Sequence, residues 1–112
     1  DLIFDDPSAA LRYYGELLGW REHRALDMGA SGTYRIYGTA DRELGGMMQR
    51  LPGYPLAPHF LLYVHVVDLD AALERVRAGG GSVWMGPMPI PTGMRIAQCA
   101  DPQGAVFALH GE

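Results

Sequence analysis

The sequence predicts an α+β fold built from one structural unit written twice, each copy running β-α-β-β-β. Three observations predict it. Arg35-Ile36-Tyr37-Gly38-Thr39-Ala40-Asp41 returns sixty positions later as Arg95-Ile96-Ala97-Gln98-Cys99-Ala100-Asp101. Asp6 followed by Ala9-Ala10-Leu11 recurs at an offset of sixty-two as Asp68 followed by Ala71-Ala72-Leu73. Each copy also runs in the same order, from an acidic helix start through a helix and a strand ending in Ala-Asp to a last apolar strand. An internal repeat decides the fold when one is present, and two copies are too few for a solenoid. The economical arrangement is a pair of modules that bury their faces against each other and enclose something between them.

The first helix follows from Asp6, which can cap, and Pro7, which suits a first turn. Ala10, Leu11, Tyr14, Leu17 and Leu18 recur at helical spacing up to Gly19, which marks the stop. In the second copy Asp68 or Asp70 caps a helix over 71–78, with Leu73, Val76 and Ala72 as its apolar stripe and Gly79-Gly80-Gly81 ending it. Strands are expected at Tyr34–Thr39, Leu44–Gln49, His59–Val67, Arg95–Ala100 and Ala105–His110, all rich in β-branched and aromatic residues or alternating in polarity. Weaker signals mark Trp20–Leu26 and Ser82–Met85. Leu2-Ile3-Phe4 is too short for a first strand, so further residues are expected upstream of Asp1. Asp101-Pro102-Gln103-Gly104 has the residues of a type I turn and joins the last two strands. The Pro- and Gly-rich run 52–58 is the natural linker, and 86–93 reads as a second Pro-rich loop. A single domain over 1–112 results, with module one at about 1–51 and module two at about 59–112.

Composition bounds the partners. With 112 residues and 48% hydrophobic content the chain has enough apolar material for a packed core. A net charge of -4, with nine Lys+Arg scattered singly, argues against nucleic acid and against an anionic membrane surface. No apolar run approaches the ~18 residues of a membrane helix, and no signal peptide is present. Cys99 is the only cysteine, which excludes an internal disulfide and fits a reducing cytoplasm.

The paired modules, the Asp-x-x-x-Ala-Leu helix entries and the run Ala100-Asp101-Pro102-Gln103-Gly104-Ala105-Val106-Phe107-Ala108-Leu109 resemble the vicinal oxygen chelate superfamily, also called the glyoxalase, bleomycin-resistance and dioxygenase superfamily. The resemblance implies a cupped, half-barrel eight-stranded mixed sheet with one helix per module outside. It also implies a divalent metal held by a His on each module's first strand and a Glu on its last. Carried over position by position, the His of module two falls on Leu61 and the Glu on Ala108, while the Glu of module one falls on Met48. The remaining His position lies upstream of Asp1. Leu and Ala offer no donor and a thioether is soft, so no metal and no other cofactor is expected.

Alternation along strands then predicts what lines the cavity. If Leu61 and Ala108 face it, so do His59, Tyr63, His65, Val106 and His110, leaving Phe60, Leu62, Val64, Val66, Phe107 and Leu109 beneath the helices. Pairing Asp101 with Gly104 adds Arg95, Ala97 and Cys99, and the first module adds Arg35, Tyr37, Thr39, Gly46, Met48 and Arg50. His59 and His65 would stand roughly 20 Å apart on one strand and cannot share an ion. His59 reads as a solvated edge residue. Arg35 and Arg50 side by side require an acidic neighbour or an anionic ligand. Cys99 reads as a small buried hydrophobe.

The expected function is a small-molecule binding protein, with Tyr37, Met48, Leu61, Tyr63, His65, Arg95, Ala108 and His110 as ligand-binding residues. The alternative is a glyoxalase-like lyase or a metal-independent oxygenase or hydroxylase, with His65 or His110 as base and Tyr63 as partner. A homodimer is the expected assembly.

Overall fold

The computed structural model describes residues 1–112. The chain divides into two units, Asp1–Phe60 and Leu61–Glu112. The first holds β1 (Leu2–Phe4), α1 (Pro7–Leu18), β2 (Arg21–Asp27), a 3-10 turn at Gly29–Ser31, β3 (Thr33–Gly38), β4 (Glu43–Gln49) and β5 (His59–Phe60). The second holds β6 (Tyr63–His65), α2 (Leu69–Ala78), β7 (Ser82–Pro89), β8 (Arg95–Ala100) and β9 (Val106–Gly111). Both units carry the β-α-β-β-β order, so the fold is α+β. Instead of one eight-stranded sheet there are two open mixed sheets, five-stranded in the order β2-β3-β4-β1-β5 and four-stranded in the order β6-β9-β8-β7. Each unit is a helix laid on one face of its own sheet.

The helix ends form as their residues dictate. Asp6 accepts a hydrogen bond from the Ala9 amide at 3.0 Å and Asp68 one from the Ala71 amide at 3.1 Å, each satisfying a donor that the first helical turn leaves free. α1 stops where Gly19 turns left-handed at φ 75° and donates to the Gly15 carbonyl. α2 carries Asp70 in its first turn and Arg75 and Arg77 in its last, the charge order that the helix dipole favours.

The cores differ between units. In the second, Leu69, Ala72 and Leu73 of α2 meet Ala97, Cys99 and Leu109 of the sheet, flanked by Val66, Val76, Val83 and Phe107. In the first, Leu2, Tyr37 and Met47 are the buried residues beneath α1, with Phe4, Ala10, Leu11 and Trp20 packed on them. No residue of α1 itself is fully buried, and Tyr13 and Leu17 are 62% and 60% exposed.

Several expectations require correction. Leu2–Phe4 is a strand after all: β1 runs parallel to β4, with Leu2 opposite Met47 and Phe4 opposite Gln49, so three residues suffice when a sheet receives them on both sides. The strand expected over His59–Val67 is two strands in different sheets. β5 pairs antiparallel with β1, whereas β6 pairs parallel with β9. Phe60 is drawn to the first sheet by its edge contacts with Phe4 and Tyr14, at ring separations of 6.4 and 5.7 Å. Leu62 and Val64 are exposed rather than packed beneath a helix, whereas Phe60, though exposed, meets Tyr14 of α1. The first half of the Pro-rich loop, up to Pro89, is strand as well, because β7 is the edge of its sheet and an edge tolerates the missing donors of Pro87 and Pro89.

The last hairpin is the decisive difference. Asp101 pairs with Ala105, not Gly104: its amide donates to the Ala105 carbonyl at 2.8 Å, while the Gly104 amide returns to the Asp101 carbonyl at 2.9 Å. Gly104, at φ 89°, is the extra residue of a three-residue loop, a left-handed position that follows the type I turn. The register therefore slips by one against the four-residue expectation. Ala97 lies opposite Leu109, Gln98 opposite Ala108 and Ile96 opposite His110.

Replacing Leu73 by Ala removes a side chain that is 2% exposed at the centre of the α2 core. A loss of about 2–5 kcal/mol is expected in urea unfolding. A loss below about 1 kcal/mol would show that α2 does not hold this sheet.

Candidate functional site

The helix-free face of the second sheet carries the candidate site. Antiparallel partners point to the same side, so burial of Ala97, Cys99 and Leu109 against α2 sends Ile96, Gln98, Ala108 and His110 to the opposite side. The parallel pairing of β6 with β9 sets Tyr63 beside Ala108 and His65 beside His110 on that same side. Ala108 is fully buried and Gln98 nearly so, Tyr63 and His110 are half-buried, and His65 is exposed. Leu61, immediately ahead of β6, is 2% exposed and does not belong to the α2 core.

Three rings gather here. His65 and His110 have centroids 4.8 Å apart with planes inclined at 58°, and Tyr63 stands 6.4 Å from His110. Neither imidazole is hydrogen-bonded to another protein group. His110 is held below the ordinary imidazole range, first by desolvation, which disfavours its charged form, and then by repulsion from a charge on His65. At neutral pH the ring is a free base with an available nitrogen lone pair and one N–H.

Two residues expected at the site sit elsewhere. Arg95 shares the helix side with Ala97 and ion-pairs with Asp70 of α2, Nη2 to Oδ2 at 3.0 Å. Tyr37 packs in the α1 core, 7% exposed and 4.9 Å from the Trp20 ring, where burial pushes its phenol pKa up. Ala97 and Cys99 also lie under α2, and burial raises the Cys99 thiol pKa first, against a smaller opposing pull from Arg77. All four follow from the hairpin slip or from its counterpart in the first sheet, where Arg35 pairs with Met47 and Ile36 with Gly46.

On the helix-free side of that first sheet are Met48, Ile3, Gly46, Ile36 and Tyr34. A Cβ on Gly46 would fall 1.9 Å from the Tyr34 ring, so glycine there is what lets the tyrosine lie flat on the strand. Tyr34 and Ile36, like Gln98 and Ile96 in the second unit, were missed by alternation counted from the wrong pair. The signal available in the sequence was Gly104 itself, which a three-residue hairpin needs one place before the strand resumes.

The remaining expected residues are accounted for by local partners. Arg35 is bound to Glu22 at 2.7 Å and Arg50 to Asp5 at 2.7 Å, so these two cations leave no demand for an anionic ligand. His59 is half-buried rather than a solvated edge residue: its Nδ1 lies 2.7 Å from the Ala57 carbonyl and its ring stacks on Tyr54 at 6.0 Å. A cleft of about 450 Å³ at the start of α1 includes Asp5, Asp6, Thr33, Arg35 and Gln49. Its acids and its already paired arginine make it a poorer candidate than the ring cluster.

The family model for the Glyoxalase/Bleomycin resistance protein/Dioxygenase superfamily matches residues 1–109. The chain belongs to that superfamily. Over 110 residues it is 36% identical to the candidate glyoxylase CFP32 of Mycobacterium tuberculosis, a match covering 97% of the chain and 41% of the relative. The anthracycline biosynthesis protein DnrV of Streptomyces peucetius is 30% identical over 122 residues, covering 97% of the chain and 44% of that protein. The chain thus spans about two fifths of the length of the curated relatives it matches. Its fold is shared with methylmalonyl-CoA epimerase from Mycobacterium tuberculosis, at 18% identity and a TM-score of 0.62 over 98% of this chain and 83% of the other. A superfamily member from Vibrio splendidus 12B01 gives 12% identity and a TM-score of 0.65 over 99% and 94%.

The superfamily implies a divalent metal, and the side chains at the corresponding positions do not fit one. Leu61, Met48 and Ala108 present two hydrocarbons and a thioether, and nowhere in the chain do three His, Cys, Asp or Glu residues converge. No helix is long and apolar enough to cross a membrane.

The ring cluster makes a pH prediction. A histidine whose folded pKa is depressed takes up a proton more readily when unfolded, so its stabilising effect is complete above the unfolded value near 6.5 and is lost as pH falls below it. Imidazole NMR titration should show His110 with a lower midpoint in the native than in the denatured chain. His65→Ala should raise that midpoint part of the way, leaving the desolvation component. Equal native and denatured midpoints would contradict the described surroundings of His110.

Proposed function

We propose that this superfamily member binds a small, partly aromatic organic molecule on the helix-free face of its second sheet, without a resident metal ion. The observation that carries this reading is the side-by-side placement of Tyr63, His65 and His110 next to the small Ala108 and the apolar Ile96. Aromatic rings with polar edges on an otherwise apolar surface are the usual make-up of a small-molecule site. The name of the relative DnrV, which places that protein in anthracycline biosynthesis, supports an aromatic ligand class. A reducing cytoplasmic setting suits the single buried thiol.

Native mass spectrometry with elemental analysis of the freshly purified protein tests the reading. A non-covalent organic adduct and no stoichiometric metal is the expected result, and Tyr63→Ala should reduce retention of that adduct by about two- to tenfold. A stoichiometric divalent metal whose removal lowers the melting temperature would overturn it.

One observation favours a second reading, catalysis by a glyoxalase-like lyase or a metal-independent oxygenase or hydroxylase. His110 is uncharged at neutral pH and adjoins a second imidazole and a phenol, as a general base with a partner would be. Turnover that survives both His65→Ala and His110→Ala would remove these residues from such a mechanism.

Self-association into a homodimer is supported by the uncovered stripe of α1, where Tyr13, Leu17 and Leu18 are 62%, 60% and 50% exposed. Light scattering should give twice the chain mass, returning to the single mass in Leu17→Glu. A single mass in the unaltered protein at all concentrations would exclude the dimer.

A further inference from the structure

We propose that His65 and His110 form a two-ring clamp for the carboxylate of an aromatic acid whose ring lies against Tyr63, which deepens the reading above and rests on it. The two histidines occupy paired positions on adjacent parallel strands, so the sheet itself fixes their spacing. Their centroids are 4.8 Å apart and their planes inclined at 58°, too oblique for simple stacking and close enough for both rings to reach one carboxylate. Charge-assisted N–H to oxygen contacts form at about 2.7–2.9 Å, and neither ring spends its N–H on another protein group.

The sign of the ligand follows from what else faces that side. Ile96, Gln98 and Ala100 of β8 and Val106 and Ala108 of β9 are all uncharged. Asp70 and Arg95 are paired with each other on the helix side. A bare imidazole pair with no carboxylate beside it therefore resists a second proton, and His65 contributes to the depressed pKa of His110. A bound anion relieves both the repulsion and the desolvation. A metal ion instead would need at least three protein donors, and no third His, Cys, Asp or Glu joins these two.

The apolar half of the ligand is set by neighbouring side chains. Tyr63 flanks His110 at 6.4 Å, and Ala108, directly beside Tyr63 in the ladder, contributes only a methyl group. Ala108 is itself fully buried, so a planar ring would lie against the half-buried Tyr63 with its carboxylate toward the histidines.

Isothermal titration of the full chain with 2-naphthoate and with its neutral isostere 2-naphthamide separates the two claims. Naphthoate should bind about tenfold or more tightly than naphthamide, the difference between a charge-assisted and a neutral hydrogen bond. His65→Ala and His110→Ala should each erase most of that preference, leaving naphthoate no more than about twofold tighter than naphthamide. In the unaltered protein, naphthoate should also shift the imidazole resonances of both histidines, a readout that does not depend on a variant folding. Equal affinity for both probes, or a naphthoate preference that survives in both variants, overturns the clamp and leaves the aromatic surface standing. Failure of both probes to bind at millimolar concentration overturns the aromatic surface and the clamp with it.

Discussion

Everything at the candidate site depends on which face of the second sheet α2 covers. Leu69 and Leu73 can be buried only against side chains that point toward the helix, and Ala97, Cys99 and Leu109 are the ones that do. Because strand side chains alternate strictly, that single choice of partners consigns Ile96, Gln98, Ala108 and His110 to the other face. β6 follows, since its pairing with β9 aligns Tyr63 with Ala108 and His65 with His110. Ring chemistry on one side is thus a geometric consequence of hydrocarbon packing on the other. Small residues make the packing close: Ala72 and Ala97 let the helix approach, and a Cβ at Gly81 would meet the Ala100 carbonyl at 2.7 Å.

Much of this was legible in the sequence. The duplication revealed the β-α-β-β-β order of both units and their helix caps, because capping chemistry and helical spacing are local and need no knowledge of what packs where. The offset of sixty also mapped equivalent faces correctly: Tyr37 and Ala97 both lie beneath a helix, and Met48 and Ala108 both lie on the free side. What was not legible was a register set by one residue. A type I turn is compatible with both a two-residue hairpin loop and a three-residue one with a glycine bulge, and the two differ only in whether Gly104 or Ala105 meets Asp101. Counting from Gly104 moved Arg95, Ala97 and Cys99 to the wrong face together. The break of the strand at Leu61-Leu62 was equally hidden, because a continuous apolar run does not announce that Phe60 will prefer the rings of Phe4 and Tyr14.

The electrostatics separate the arginines from the histidines. Arg24, Arg35, Arg50 and Arg95 are each bound to a carboxylate of their own unit, at 2.9, 2.7, 2.7 and 3.0 Å. Exposed pairs of this kind contribute little to stability, yet they occupy the cation and withdraw it from any ligand. His65 and His110 have no such partner. In the second unit these two imidazoles stand together without a carboxylate partner, and an imidazole can change charge in a pH range where an arginine cannot.

The same distribution bears on the metal positions that the superfamily resemblance implies. A hard cation requires several oxygen or imidazole donors converging on one point, and here the inherited positions hold Leu61, Met48 and Ala108. Two of the three are buried, at 2% and 0% exposure, so they add to apolar packing what they no longer offer in coordination. The imidazoles stand on the same ladder but two residues further along, at His110 beyond Ala108 and at His65 beyond Tyr63. Their ladder pairing fixes the distance between the two rings. Residues on this face can differ without disturbing the core that Leu73 and Leu109 hold on the far side.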